Sequence, residues 1–120
     1  MSRAVPKDVL RIRIPHGERY AMGPGKADLL EAIEETRSIA EAGRSLGMSY
    51  WKTRRLLDEM AACFKAPVVE TTRGGGGGGG SSLTKLGREA LARYRAMQAR
   101  AEAAIAGDLK AYRRLLARKA

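Results

Sequence analysis

The chain has 120 residues, the size of one small domain, and carries 23 Lys and Arg against 13 Asp and Glu, a net charge of +10. Such an excess selects polyanionic partners, namely DNA, RNA or an anionic membrane surface. Three things are excluded or disfavoured. No apolar run approaches the ~18 residues that span a bilayer. The opening Met1-Ser2-Arg3-Ala4-Val5-Pro6-Lys7-Asp8 lacks the apolar stretch of a secretory leader. Cys63 is the single cysteine, so an intramolecular disulfide is impossible and the cytoplasm is the expected compartment.

Aromatic residues make up only 5% of the chain, so its core must be built from Leu, Ile, Val, Met and Ala. A core of that size gains from dimerisation. In chain order, Val9-Leu10-Arg11-Ile12-Arg13-Ile14 alternates with period two and predicts a half-buried strand ended by Pro15-His16-Gly17. Gly23-Pro24-Gly25 reads as a turn. From Lys26 the period becomes helical, with Leu29, Leu30 and Ile33 on one side and Glu31, Glu34 and Glu35 on the other. Ser38 with Glu41 forms a capping box and opens a second helix, from about Ile39 to Leu46, stopped by Gly47. Ser49 caps a third helix that reaches about Phe64, and Pro67 closes it. Val68-Val69-Glu70-Thr71-Thr72 is strand-like, seven glycines occupy positions 74–80, and Ser81-Ser82-Leu83 offers a return strand. A long helix then runs nearly to the end, with an expected interruption at Gly107-Asp108.

The segment 38–60 carries the main functional signal. A helix-turn-helix needs a small residue where its two helices cross, here Ala42-Gly43, and a turn residue tolerant of positive φ, here Gly47. The second of these helices would enter the major groove with Ser49, Tyr50, Trp51, Lys52, Thr53, Arg54 and Arg55, residues able to contact guanine edges or phosphates. Ser38 at the preceding helix start joins this set. The strand–glycine–strand unit predicts a wing that brings Thr72, Arg73, Gly74 and Gly75 to the DNA backbone, the glycines through their free N–H groups. A solvated helical hairpin and a flexible inter-domain linker are the competing readings of these two segments.

The last helix bears an apolar stripe of Leu91, Tyr94, Met97, Ala101, Ala104, Ile105, Leu109, Tyr112 and Leu116, longer than a small domain covers alone. A two-fold partner helix is the expected cover, and folding back onto its own domain is the alternative. No catalytic set is assembled from one histidine, His16, and one cysteine, so no enzyme activity, cofactor or metal is expected.

Leu10-Arg11-Ile12-Arg13, Gly23-Pro24-Gly25-Lys26, Leu29-Leu30-Glu31-Ala32-Ile33 and Ser38-Ile39 resemble the N-terminal domain of ModE-type molybdate-dependent regulators. So do Gly47-Met48-Ser49-Tyr50, Asp58-Glu59-Met60, Val69-Glu70-Thr71 and the polyglycine segment followed by Leu83-Thr84-Lys85-Leu86-Gly87. The resemblance is collinear over about residues 9–105. It implies a winged-helix, DNA-binding homodimer that regulates genes linked to molybdenum. Full-length members of that family carry C-terminal molybdate-binding modules, and this chain ends after its long helix, so the expectation is that it binds no small-molecule effector alone.

The expected fold is mainly α with a small β-hairpin wing, a winged helix-turn-helix over residues 9–83 followed by a dimerisation helix over 84–118. The expected partners are double-stranded DNA and a second copy of the chain, with no membrane. The alternatives are a non-specific, nucleoid-type nucleic-acid-binding protein and an adaptor that docks a separate sensor protein.

Overall fold

The structure, a computed structural model, describes residues 9–72 and 80–118. The elements in order are β1 (Ile14–His16), β2 (Arg19–Met22), α1 (Pro24–Thr36), α2 (Ile39–Ser45), α3 (Tyr50–Cys63), β3 (Val69–Thr72), β4 (Gly80–Leu83) and α4 (Lys85–Arg113). It is a mainly helical winged helix-turn-helix arrangement with a long C-terminal helix, as the sequence predicts. The predicted helices and the wing hairpin are present, the N-terminal strand is displaced to residues 14–16, and one strand, β2, was not anticipated.

That strand changes the reading of the N-terminal segment. Alternation does survive as burial, with Ile12 and Ile14 half-buried and Arg11 and Arg13 exposed. However, only Ile14 onward finds a ladder partner, pairing antiparallel with β2 around Gly17 at φ 63°. Pro15, which has no N–H, coincides with the register irregularity between Ile14 and Pro15. Val9 lies in a turn and residues 10–13 join no strand; the carbonyl of Ile12 instead accepts a 2.7 Å bond from the Tyr94 hydroxyl.

Two further expectations are corrected. Gly23-Pro24-Gly25 is a helix start rather than a free turn: Gly23 is the N-cap and Pro24 occupies the first turn, where its fixed φ suits the helix and its missing N–H costs nothing. The long helix is also not interrupted at Gly107-Asp108, since α4 is continuous over 29 residues. One exposed glycine costs a helix only ~1 kcal/mol, too little to break one this long.

The core lies where α1 is wrapped by the other elements. Leu29, Leu30 and Ile33 of α1 are fully buried with Met60 of α3, Leu83 of β4 and Tyr94 of α4. Tyr94 is the largest of these side chains, and burial pushes its phenol above the ordinary tyrosine value. Arg95 adds a polar clamp between α4 and α1, bonding Asp28 at 2.9 Å and Glu31 at 2.5 Å. Gly87 lets the start of α4 press against the wing root, because a Cβ there would lie 2.9 Å from the carbonyl carbon of Val68. Past Tyr94 no described residue of α4 is buried, and the helix projects from the body.

Lys26 is a buried charge that the core has to accommodate. Only 6% of it is exposed, and its ammonium donates to the Tyr20 carbonyl and pairs with Glu59 at 2.6 Å. One lysine thereby ties β2, α1 and α3 together. The bond from Lys26 holds the Glu59 carboxyl below the ordinary glutamate value, against an opposing effect of burial. Because the folded value is the lower one, this pair stabilises the fold above the unfolded glutamate pKa. Its contribution is lost as pH falls through the depressed value. Glu59→Gln should therefore cost about 1–2 kcal/mol at neutral pH, given that Glu59 is partly solvated, and should flatten the acid limb of stability. Urea midpoints of both proteins between pH 7 and pH 3 measure this. Parallel curves would show that the pair does not contribute.

Candidate nucleic-acid interface

The interface begins with a tight turn. Ser38 caps α2 by accepting from the Glu41 N–H at 3.0 Å, but the predicted capping box does not close: the Ser38 N–H donates to the Thr36 hydroxyl at 3.2 Å, and the Glu41 carboxylate pairs with Arg44 instead. The helix ends at Ser45, and Gly47 takes the left-handed conformation at φ 72°. The Met48 N–H then donates back to the Gly43 carbonyl at 2.9 Å, reversing the chain. Ser49 caps α3 by accepting from the Lys52 N–H at 3.0 Å. These local bonds set where α3 begins.

The crossing of α2 and α3 depends on Gly43. A Cβ at that position would fall on Oγ1 of Thr53, well inside contact distance, and would lie 3.1 Å from the Thr53 Cβ. Thr53 is fully buried and donates its hydroxyl to the Ser49 carbonyl at 2.9 Å. It therefore does not stand on the recognition surface where the sequence reading placed it. Thr53, Leu57 and Met60 form the inner face of α3, and spacing of four and three residues puts them one above another.

The opposite face is the surface of interest. Trp51 and Arg55, one turn apart, lie at its centre and are exposed, with Trp51 80% accessible. Tyr50 stands beside Trp51 in an edge-to-face arrangement, ring centroids 6.2 Å apart. Lys52 is exposed on one flank. Arg54 is partly covered and lies 3.6 Å from Asp58, a solvent-exposed pair that holds it only weakly. The first two turns of α3 thus present two aromatic rings and three cations. Acidic groups, Asp58 and Glu59, appear only further along.

The wing is attached beside this face. β3 and β4 pair from Val69 with Leu83 to Thr72 with Gly80. Thr71 and Thr72 are exposed, and the Thr72 hydroxyl donates to the Gly80 carbonyl at 3.1 Å. Arg73, Gly74 and Gly75 lie outside the described residues. A cleft between α3 and β3 is lined by Arg54, Asp58, Val69 and Thr71, so the wing runs next to the recognition face.

Arg37 is a residue that the sequence reading missed. It ends α1 in the left-handed region at φ 62°, uncommon for a residue with a Cβ. Its carbonyl accepts from the Ser81 N–H at 2.8 Å. Gly80 is needed alongside, since a Cβ there would meet that carbonyl at 3.0 Å. The loop before α2 and the return strand of the wing are thereby joined. Arginine carries no turn signal, so local sequence gave no hint of this link. Among the described residues no cluster of three or more His, Cys, Asp or Glu could hold a metal, and no helix is long and apolar enough to cross a membrane.

No protein-family model matches the chain. It is similar to the molybdenum transport protein ModE of Azotobacter vinelandii, with 33% identity over 107 aligned positions. The similarity covers 80% of this chain and 40% of that relative, so the chain spans less than half of the relative's length.

The Gly43–Thr53 contact yields a direct test. Gly43→Ala should destabilise the protein by ~1–3 kcal/mol, the usual cost of overpacking, by pushing α3 away from α2. Thr53→Ala in the same chain removes the clashing hydroxyl and methyl and should recover part of the loss. Thermal melts of the two single mutants and the double mutant form the cycle, and strict additivity would exclude the contact.

Proposed function

We propose that the chain is a sequence-specific DNA-binding transcriptional regulator of the ModE type, acting as a homodimer on molybdenum-related genes. The observation that carries this reading is the outward face of α3. Its N-terminal turns combine a serine cap, two exposed aromatic rings and three cations, beside a hairpin wing. That is the geometry of a recognition helix whose N-terminal part enters the major groove. The net charge of +10 and the similarity to ModE support it. In this reading residues 9–83 bind DNA and residues 84–118 dimerise. Arg55 is best placed to bond a guanine edge, with Arg54 free to leave Asp58 for the same purpose. Lys52, Tyr50 and Ser49 serve phosphates, as does the wing through Thr72.

The proposed dimer rests on α4. At ~1.5 Å per residue the helix is about 43 Å long, yet its last buried residue is Tyr94. Beyond it Ile105 and Leu109 are only half-covered and Tyr112 is 63% exposed, and in the turn after the helix Leu115 is 77% and Leu116 59% exposed. An apolar row of that length is covered by the same row of a second copy packed two-fold. Two recognition helices then address two half-sites of one DNA element.

Selection of bound duplexes from random DNA with the purified chain tests the function. A specific regulator prefers its best site by ~4 kcal/mol or more over unrelated DNA, whereas a charge-driven binder does not. Arg54→Ala and Arg55→Ala are each expected to cost ~1–3 kcal/mol on the selected site where the guanidinium bonds a guanine, and to relax one base position. Unchanged binding by both variants would remove α3 from the groove. For the dimer, Leu109→Asp should yield a monomer in sedimentation equilibrium and weaken binding to two-half-site DNA far more than to a single half-site. A dimer that survives the substitution would place its interface elsewhere.

A further inference from the structure

Trp51 is the chain's only tryptophan, and it does not serve the fold. It is 80% exposed, and the buried cluster is complete without it. The indole is the largest apolar surface a residue offers, and leaving it in water forgoes the burial that stabilises most tryptophans. Its neighbours on the turn are Lys52, Arg54 and Arg55. A ring of cations disfavours an apolar protein patch as its partner and favours a polyanion. Resting on the reading of α3 as a recognition helix, we propose that Trp51 packs against the C5-methyl group of a thymine in the major groove and makes the chain selective for thymine at that position.

The chemistry of the groove points to this choice. Base edges there display hydrogen-bond donors and acceptors, with one apolar exception, the thymine methyl. The other exposed side chains on the first two turns end in groups suited to those donors and acceptors or to phosphate, whereas Trp51 offers a broad apolar face with a single Nε1–H donor at its edge. Trp51 projects at the centre of the face, one turn before Arg55. The methyl it meets therefore lies within a few base pairs of the edge that Arg55 reaches. The contact of Tyr50 with the indole limits the ring's freedom and lowers the entropy lost when it docks.

The experiment uses the full chain and a duplex recovered from random DNA. Each thymine is replaced singly by deoxyuridine, which deletes the methyl and leaves base pairing unchanged. One thymine per half-site should weaken binding about fourfold when replaced, the transfer free energy of one buried methyl group expressed as affinity. Trp51→Ala should bind the thymine and deoxyuridine duplexes equally, and Trp51→Phe should restore part of the preference. Trp51 is exposed, so both variants should fold, which circular dichroism verifies. As the sole indole, Trp51 also reports directly, and its emission should shift on binding the thymine duplex and shift less on the deoxyuridine one. Specific binding with no thymine sensitive to the swap, or the same sensitivity in Trp51→Ala, overturns the inference while leaving the DNA-binding reading intact. Failure to bind any selected duplex overturns both. Emission that shifts with phosphatidylglycerol vesicles and not with DNA assigns Trp51 to a membrane surface instead.

Discussion

The candidate interface depends on the close approach of α2 and α3 at Gly43 and Thr53. Nothing larger than a hydrogen fits at Gly43, and Thr53 fills the space with its hydroxyl bonded to the Ser49 carbonyl. That packing decides the angle at which α3 leaves the body, and hence which residues are left outside. With Thr53, Leu57 and Met60 turned inward, helical geometry leaves Trp51 and Arg55 on the far side. The chemical character of the surface therefore follows from a contact that lies entirely beneath it.

A second constraint places the wing. β3 and β4 are too short to be independently stable, and they are held from three directions. Ser81 donates to the Arg37 carbonyl, Thr84 donates to the Pro67 carbonyl, and Leu83 is buried in the core. The close fit of Gly87 against Val68 then fixes the start of α4 to the same root. The wing and the long helix thus share one small anchoring region, and a shift in α4 is felt at the base of the wing. In a dimer built on α4, the spacing of the two recognition faces would be transmitted through this region.

The helix-turn-helix was legible because its signals are local. Ser38, Gly47 and Ser49 each act within one helical turn: the two serines make the cap bonds, and Gly47 takes the left-handed conformation, that their positions imply. What escaped the sequence reading is long-range. Tyr94 and Ile12 are bonded across 82 residues, and no local pattern announces such a pair. The same holds for Arg37 with Ser81, and for β2, whose Arg19-Tyr20-Ala21-Met22 shows too short an alternation to stand out. Thr53 is a different case. Its spacing from Leu57 and Met60 marks it as inward-facing, while its residue type matches the exposed polar neighbours beside it, and helical phase is the signal that wins. The predicted break at Gly107-Asp108 overweighted one glycine against the propensity of the alanine-rich sequence around it.

The proposed function turns on whether the N-terminal turns of α3 occupy the major groove. Methylation interference on a selected duplex measures this most directly, because methyl groups at guanine N7 lie in the major groove and those at adenine N3 in the minor groove. Strong interference is expected at one or more guanine N7 positions per half-site, lost at one of them in Arg55→Ala. Interference confined to adenine N3, or none at any base, would contradict it.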